Sequence, residues 1–249
     1  MGNQVNDGAS ILKIATDKNK VQEIILQASA PLNNGTDEIS MADYLVSEGV
    51  KGNLCYVNGI GSMFYDGKRW AQDPDGIKAD KELQERCKKA VKLIRSKLSE
   101  FDEKDPNQAE AKKILTARAA AVDAYSGHNK RNALMKTLRP HISRTMSSLD
   151  RLPGTLNTPC GFVDLAGNVL FDASPEYGFT QVTGAHYDRE AHSEVWHYFL
   201  LETMSGDIER VKFLQKLCGY AIEGNPVEDI AVVLYGATTR NGKTTFLNA

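Results

Sequence analysis

The stretch IAVVLYGATTRNGKTTFLNA, residues 230–249, decides how the rest of the chain is read. Ile230 to Tyr235 is an apolar, β-branched run, Gly236 to Asn241 is polar and turn-forming, and Gly242-Lys243-Thr244-Thr245 opens an apolar segment suited to a helix. A strand, a phosphate loop and a helix start are expected in that order. A polyphosphate carries dense negative charge, and a glycine-rich turn into a helix N-terminus offers unpaired backbone N–H groups and the positive end of the helix dipole. In such a loop Gly242 lets the backbone approach the phosphates, Lys243 reaches them as a point charge, and the Thr244 hydroxyl ligates the bridging Mg²⁺. The expected nucleotide-binding set is Gly236, Ala237, Thr238, Thr239, Arg240, Asn241, Gly242, Lys243, Thr244 and Thr245, with Lys243 and Thr244 as its catalytic members. The usual spacing is a glycine, four residues, then Gly-Lys-Ser/Thr, which puts Ala237 at the first position and Gly236 one residue early. Either the loop is one residue longer or Ala237 takes the first turn. A plain surface turn is the alternative.

Immediately before this stretch, Asn225-Pro226 turns the chain into the strand. Two helices precede the turn. Ser193 caps the first, which carries Val195, Trp196, Phe199 and Leu200 and stops at Gly206; Asp207 starts the second, with Ile208, Val211, Leu214, Leu217 and Cys218 on one face and Gly224 after its end. Further back, Pro153-Gly154, Thr158-Pro159 and Ala166-Gly167-Asn168 alternate with short apolar runs, which predicts a small β-hairpin over 152–178.

Residues 78–148 read as helical and basic, broken near Asp102–Asn107 by an Asp-Pro step. Ala90, Leu93, Ile94 and Leu98, then Leu115, Ala119 and Val122, supply apolar stripes. Charge is segregated: residues 77–151 hold 18 Lys and Arg against 10 Asp and Glu, while the whole chain is at −2. No acidic residue lies between Asp123 and Asp150, a span that holds Lys130, Arg131, Lys136, Arg139 and Arg144. Such a run of cations suits a phosphate backbone, and a solvated helix face is the alternative. Leu54 to Trp70 is punctuated by Asn58-Gly59 and Asp66-Gly67, so successive hairpins are expected, with Tyr65 and Trp70 as the packed face of a small sheet or as a base-stacking platform. Ser40 to Glu48 reads as a short helix with Ser40 and Asp43 near its start. Residues 1–39 form a partly disordered arm with one amphipathic segment, Val21, Ile24 and Ile25, that Asp17 caps.

The composition, 41% hydrophobic and 25% charged, is that of an ordinary globular chain. No apolar run approaches the 18 or so residues that span a bilayer, the N-terminus lacks a signal-peptide core, and Asn6 stands where myristoylation needs Ser or Thr, so a cytoplasmic protein without membrane partners is expected. Cys55, Cys87, Cys160 and Cys218 are too scattered for a zinc cage and read as reduced thiols. His186, His192 and His197 are spaced by five and six residues and do not stack on one helix face.

Four motifs stand in order: LNTPCGFVDLAGNVL at 156–170, YDREAHSEVWHYFLLETMSGD at 187–207, FLQKLCGYAIEGN at 213–225 and LYGATTRNGKTT at 234–245. With them the chain resembles phage and plasmid replication ATPases of the poxvirus-type, superfamily 3 helicase–primase group, most clearly from Asn157 to Thr245. The resemblance implies an ATP-fuelled, ring-forming motor that tracks along DNA at a replication fork in a bacterial host, with ATP and Mg²⁺ as cofactors. On it, Asn241, Gly242, Lys243 and Thr244 match the family's Asn-Gly-Lys core and its triphosphate and magnesium contacts, and Asn157, Gly161 and Asp164 match an architectural motif of the preceding domain. The acidic strand, polar sensor and arginine finger of such a motor do not occur before Ala249, so a truncated core, or one piece of a split gene, is expected, with little turnover by this chain alone. No carboxylate constellation for primase chemistry is evident in the first 150 residues.

The fold class expected is therefore α+β. A mainly helical domain with small β-hairpins spans 40–229, and 230–249 begins a truncated α/β P-loop NTPase core. A non-catalytic DNA-binding or partner-docking module using the basic 128–144 segment is the rival reading, and a small-molecule kinase is a third.

Overall fold

The computed structural model describes residues 16–28, 35–224, 230–236 and 240–248. The sequence also reads as a loop over residues 31–36, of which 31–34 lie outside the described residues, as do the Asn225-Pro226 turn and loop residues Ala237, Thr238 and Thr239. The chain is α+β, and it divides into two compact units: Met1–Phe64 with Gln72–Arg144, and Tyr65–Ala71 with Thr145–Ala249.

The first unit is built on helices α1 (Lys18–Ala28), α2 (Glu38–Ser47), α3 (Ile77–Leu98), α4 (Pro106–Asp123) and α5 (His128–Leu138). In α3, Ala79, Leu83, Cys87, Ala90, Val91 and Ile94 recur at helical spacing and all six are buried; Ala111, Leu115, Ala119 and Val122 do the same in α4. The two stripes pack together, and the small side chains of Ala90, Ala111 and Ala119 permit close approach of the backbones. α1 packs on α4 through Val21 and Ile25, and α2 packs against α5. Fully burying a leucine or isoleucine such as Leu83, Ile94, Leu115 or Leu134 contributes about 1.5–3 kcal/mol apiece. That common core fixes where α5 presents its polar face.

Caps mark the helix starts. Asp17 accepts from the Asn19 N–H at 2.9 Å, as the sequence predicts, and Asp105 with Pro106 opens α4 where the Asp-Pro step stands. For α2 the sequence points to Ser40 and Asp43. The helix starts earlier instead, because the Asp37 carboxylate reaches the N–H groups of both Ile39 and Ser40 at 3.0 Å, and the Ser40 hydroxyl donates to it at 2.8 Å. Those bonds from Ser40 hold the Asp37 carboxyl below its usual range.

Strand β1 (Leu54–Val57) pairs antiparallel with β2 (Gly61–Tyr65), Leu54 opposite Phe64, through a turn at Asn58-Gly59 in which Gly59 has φ of +87°. Its other edge pairs in parallel with β4 (Ser143–Arg144), Tyr56 opposite Ser143. The short strand β3 (Trp70–Gln72) lies between α3 and the Asp66-Gly67 turn, where Asp66 accepts from the N–H groups of Lys68 and Arg69.

In the second unit, β5 (Thr155–Thr158), β6 (Gly161–Asp164) and β7 (Val169–Phe171) form an antiparallel meander, one strand more than the expected hairpin. The Phe162 ring lies 5.1 Å from that of Phe171, 4.7 Å from that of Tyr177 and 5.4 Å from that of Phe179. Trp70 is 1% exposed, donates from Nε1 to the Pro175 carbonyl at 2.8 Å, and takes the packed role rather than that of an open stacking platform. Asn157 Nδ2 donates to the carbonyls of Lys68 and Gln181, tying two loops to β5. At Gly161, φ is +134° and an added Cβ would lie 2.1 Å from the Phe171 carbonyl oxygen, so only glycine fits. Asp164 accepts from the Gly167 N–H in the following turn. These three residues have the architectural roles that the resemblance implies. Helices α6 (Glu194–Thr203) and α7 (Ile208–Glu223) start at Ser193 and Asp207, as read from the sequence, and α7 ends at Gly224 in the left-handed region.

The expected strand at Ile230–Tyr235 is not formed among the described residues. Val233 is 84% and Tyr235 88% exposed. A strand takes its hydrogen bonds from neighbours, and no described strand lies beside this one. The helix start is present as α8 (Lys243–Asn248).

Candidate functional site

The polar loop ahead of α8 is supported from behind by α6. Phe246 of α8 stacks on Trp196, with centroids 6.0 Å apart and planes 9° from parallel, and Trp196 stacks on Phe199 at 5.3 Å. Leu200, Val211 and Leu214 form the buried centre beneath these rings. Gly242 has φ of +80°, and a Cβ there would meet Thr203 Oγ1 at 3.0 Å and Phe199 Cε2 at 3.1 Å. Glycine is needed on both counts.

On the other side of the loop three of the candidate residues, Gly236, Asn241 and Lys243, come together. The Lys243 ammonium donates to Asn241 Oδ1. A Cβ on Gly236 would fall 1.7 Å from Asn241 Nδ2 and 3.3 Å from Lys243 Nζ, so the Asn241 side chain packs directly on the Gly236 backbone and only glycine leaves room for it. Thr244 and Thr245 are exposed, and Arg240 takes φ of +57°, which helps reverse the chain. This arrangement brings a cation and an amide together against the backbone of Gly236. Trp196 and Phe199 are expected from the sequence to fix the helix pair, but the contact of Phe199 and Thr203 with Gly242 is not; their spacing with Trp196 at i, i+3 and i+7 is the signal that puts all three on one face.

The cations of the first unit sort into unlike groups. Lys130, Lys136 and Arg139 are exposed, and Arg144 is half-buried. Lys130 Nζ lies 5.4 Å from the Tyr125 ring centroid and the Arg139 guanidinium 4.7 Å from that of Tyr56. Arg131, read in the sequence with the cations that lack partners, is 6% exposed and fully engaged. Its Nε and Nη2 bond to Asp80 at 2.7 and 2.9 Å, and its Nη1 donates to the carbonyls of Tyr125 and Ser126. Hydrogen bonding from Arg131 lowers the Asp80 carboxyl below its ordinary range, and Asp80 in turn raises the guanidinium. The partner sits 51 residues away on α3, so no local pattern announces it.

A cleft of about 560 Å³ opens between the start of α3 and α5 within this unit. Asp80, Gln84, His128, Asn132, Met135 and Arg139 are among its walls, with Tyr56 behind Arg139. Asn132 Nδ2 lies 3.0 Å from His128 Nε2.

Among the described residues no three His, Cys, Asp or Glu side chains come together as a metal cage, and no helix is long and apolar enough to cross a membrane. All four cysteines are free thiols, and burial pushes those of Cys55 and Cys87 up to about 11.

The chain is thus a two-unit α+β protein with a basic helical half and a lysine-bearing glycine loop. The chain belongs to the family described as D5 N terminal like, which matches residues 17–205. This domain is found in primase-helicase proteins of phage and plasmid replication. The match takes in both units and stops before the loop at 236–245, which rests on its own residues. Among curated proteins none matches the chain.

Proposed function

We propose that this protein is part of an ATP-dependent DNA helicase–primase of the poxvirus-type, superfamily 3 group, acting in phage or plasmid replication in the cytoplasm of a bacterial host. The 236–245 segment is its phosphate loop. The observation that carries this reading is the convergence of Lys243 Nζ, Asn241 and the Gly236 backbone, with Gly242 in the left-handed region against α6. The Lys243 ammonium would meet the β- and γ-phosphates of ATP, and the Thr244 hydroxyl would face the Mg²⁺ that bridges them. The start of a P-loop NTPase core lies at 230–249, and a homo-oligomeric ring around DNA is the assembly this class of motor uses. Bound ATP supplies the energy of strand separation; the chain's own contribution is to hold the triphosphate and carry DNA contacts.

DNA is the second ligand in this reading. The exposed heads of Lys130, Lys136 and Arg139 on or just after α5, in a span free of acidic residues, support it.

The test is Mg²⁺-dependent ATP binding by the purified chain, measured by equilibrium dialysis, beside Lys243→Ala. Binding in the parent chain that falls at least tenfold in the variant is expected. Affinity indifferent to Lys243 removes the phosphate-loop assignment.

A further inference from the structure

The cleft between α3 and α5 has a charge arrangement that a simple phosphate groove lacks. Asp73, Asp75 and Asp80 share its lining with Lys81, Arg131 and Arg139, Asp80 and Arg131 are closed on one another, and Asp73 accepts from the Lys78 and Ala79 N–H groups, so the cleft is of mixed charge rather than a purely basic groove. The exposed Lys136 follows the lining residue Met135 on α5 and can hold a strand's backbone beside the cleft, whereas Lys130 is on the opposite face of the helix, over the Tyr125 ring. A strand's backbone held beside the cleft and a flat, uncharged group within it is an arrangement that this lining can accept.

The inner wall specifies the uncharged group. Arg139 lies with its guanidinium 4.7 Å from the Tyr56 ring centroid, and Tyr56 is itself packed against the buried core, which holds the guanidinium over the ring. The outer side of Arg139 is exposed. A planar cation backed by an aromatic ring is a platform on which a flat heterocycle stacks. Met135 adds an apolar contact, while the amides of Asn132 and Gln84 can both donate and accept in the plane of a base edge. The volume of about 560 Å³ is sufficient for one nucleotide.

We propose that this cleft receives a single nucleobase of single-stranded DNA, stacked on Arg139 and edge-bonded by Asn132, while Lys136 holds a flanking phosphate. A duplex cannot use the cleft, because a paired base is not free to leave its stack. The inference deepens the DNA-binding reading of α5 and depends on it. It is independent of the phosphate loop.

The experiment uses the full chain and fluorescence anisotropy with three probes of equal length: a mixed-sequence single strand, the same strand with abasic sites throughout its centre, and the duplex. Arg139→Lys keeps the charge and removes the planar stack. It is expected to weaken the natural strand about tenfold while leaving the abasic strand within about twofold, since base stacking lies in that range. Asn132→Ala, an exposed change, should weaken the natural strand and spare the abasic one in the same way. The duplex should bind the parent chain more weakly than the single strand. Equal losses on natural and abasic strands, no loss on either, or a duplex bound as tightly as the single strand would each overturn the base-pocket inference while leaving α5 as a phosphate-contact surface. If no DNA binds at low salt, the DNA reading fails and the pocket with it.

Discussion

Arg131→Met tests whether the buried member of the basic run acts on stability or on DNA. The arginine makes two charge-assisted bonds to Asp80, at 2.7 and 2.9 Å, and two further bonds to the Tyr125 and Ser126 carbonyls. Removing one partner of a buried, hydrogen-bonded ion pair costs about 3–5 kcal/mol. The Arg131 side chain is 7% exposed but that of Asp80 is 33%, so water can recover part of the carboxylate's solvation once the arginine is gone. Discounted for that exposure, the loss is about 2–4 kcal/mol. In a chain of this size each kcal/mol moves the melting temperature by about 2–4 °C, so a fall of about 5–15 °C is expected. Asp80→Asn should cost at least as much, because it leaves the less exposed guanidinium without its counter-ion.

The companion measurement is the salt dependence of DNA binding. A cation that neutralises one phosphate contributes close to one unit to the slope of log K against log salt. Lys136→Met should lower the slope by about one and leave stability within about 0.5 kcal/mol, as surface changes do. Arg131→Met should do the reverse, since its charge is already neutralised by Asp80. A melting temperature unchanged by Arg131→Met, or a slope that falls as it does for Lys136→Met, would refute the assignment of this arginine to the core. The pair also fixes a pH signature. Because Arg131 holds the folded-state Asp80 carboxyl below its unfolded value, the stabilisation is complete above about pH 5 and is lost as pH falls through the lowered folded value. The stability gap between the parent chain and Asp80→Asn should therefore be flat from pH 5 to 8 and shrink under more acid conditions.

Gly161→Ala should destabilise the meander by at least about 2 kcal/mol in urea melts, from the clash with the Phe171 carbonyl and a backbone angle that L-residues avoid; a loss under 0.5 kcal/mol would mean that the turn relaxes freely. Asn157→Asp should be worse than Asn157→Ala by thermal melting, because it sets a carboxylate against the Lys68 and Gln181 carbonyls that the amide now satisfies; the opposite order would deny Asn157 its bridging role. Gly242→Ala should weaken Mg-ATP binding without moving the melting temperature of the first unit, and nucleotide should alter the Trp196 emission through its stack on Phe246. Trp70, buried and remote in sequence from the loop, is removed by Trp70→Phe so that Trp196 alone reports; unchanged emission at saturating ATP would detach α8 from nucleotide binding.

Local signals survive into the structure wherever one element decides the outcome by itself. Asp17, Ser193 and Asp207 cap their helices because an oxygen acceptor beside free N–H groups needs no distant partner. The stripes of α3 and α4 and the Asn58-Gly59 turn follow from spacing and backbone freedom in the same way. What stayed hidden depends on residues far apart in sequence. The parallel pairing of Ser143 with Tyr56 comes from the burial of Ile142 and the route of the chain after α5, neither of which is periodic. Ile230–Tyr235 has the composition of a strand, yet composition supplies no neighbour, and among the described residues no strand pairs with it.

The basic run shows most clearly why the candidate site was only half legible. Five cations counted along the sequence look alike, since charge and spacing carry no record of what lies opposite. In three dimensions Asp80 takes Arg131 into the core, and Tyr56 gives Arg139 an aromatic back wall. Both partners come from elements more than 50 residues earlier. The helix that presents Lys130 and Lys136 is thus anchored by the one arginine that gives up its exposure. Loss of Asp80 would accordingly disturb the cleft and the surface cations together, whereas loss of a surface cation would leave the anchor intact, and that asymmetry separates an organising ion pair from the contacts it positions.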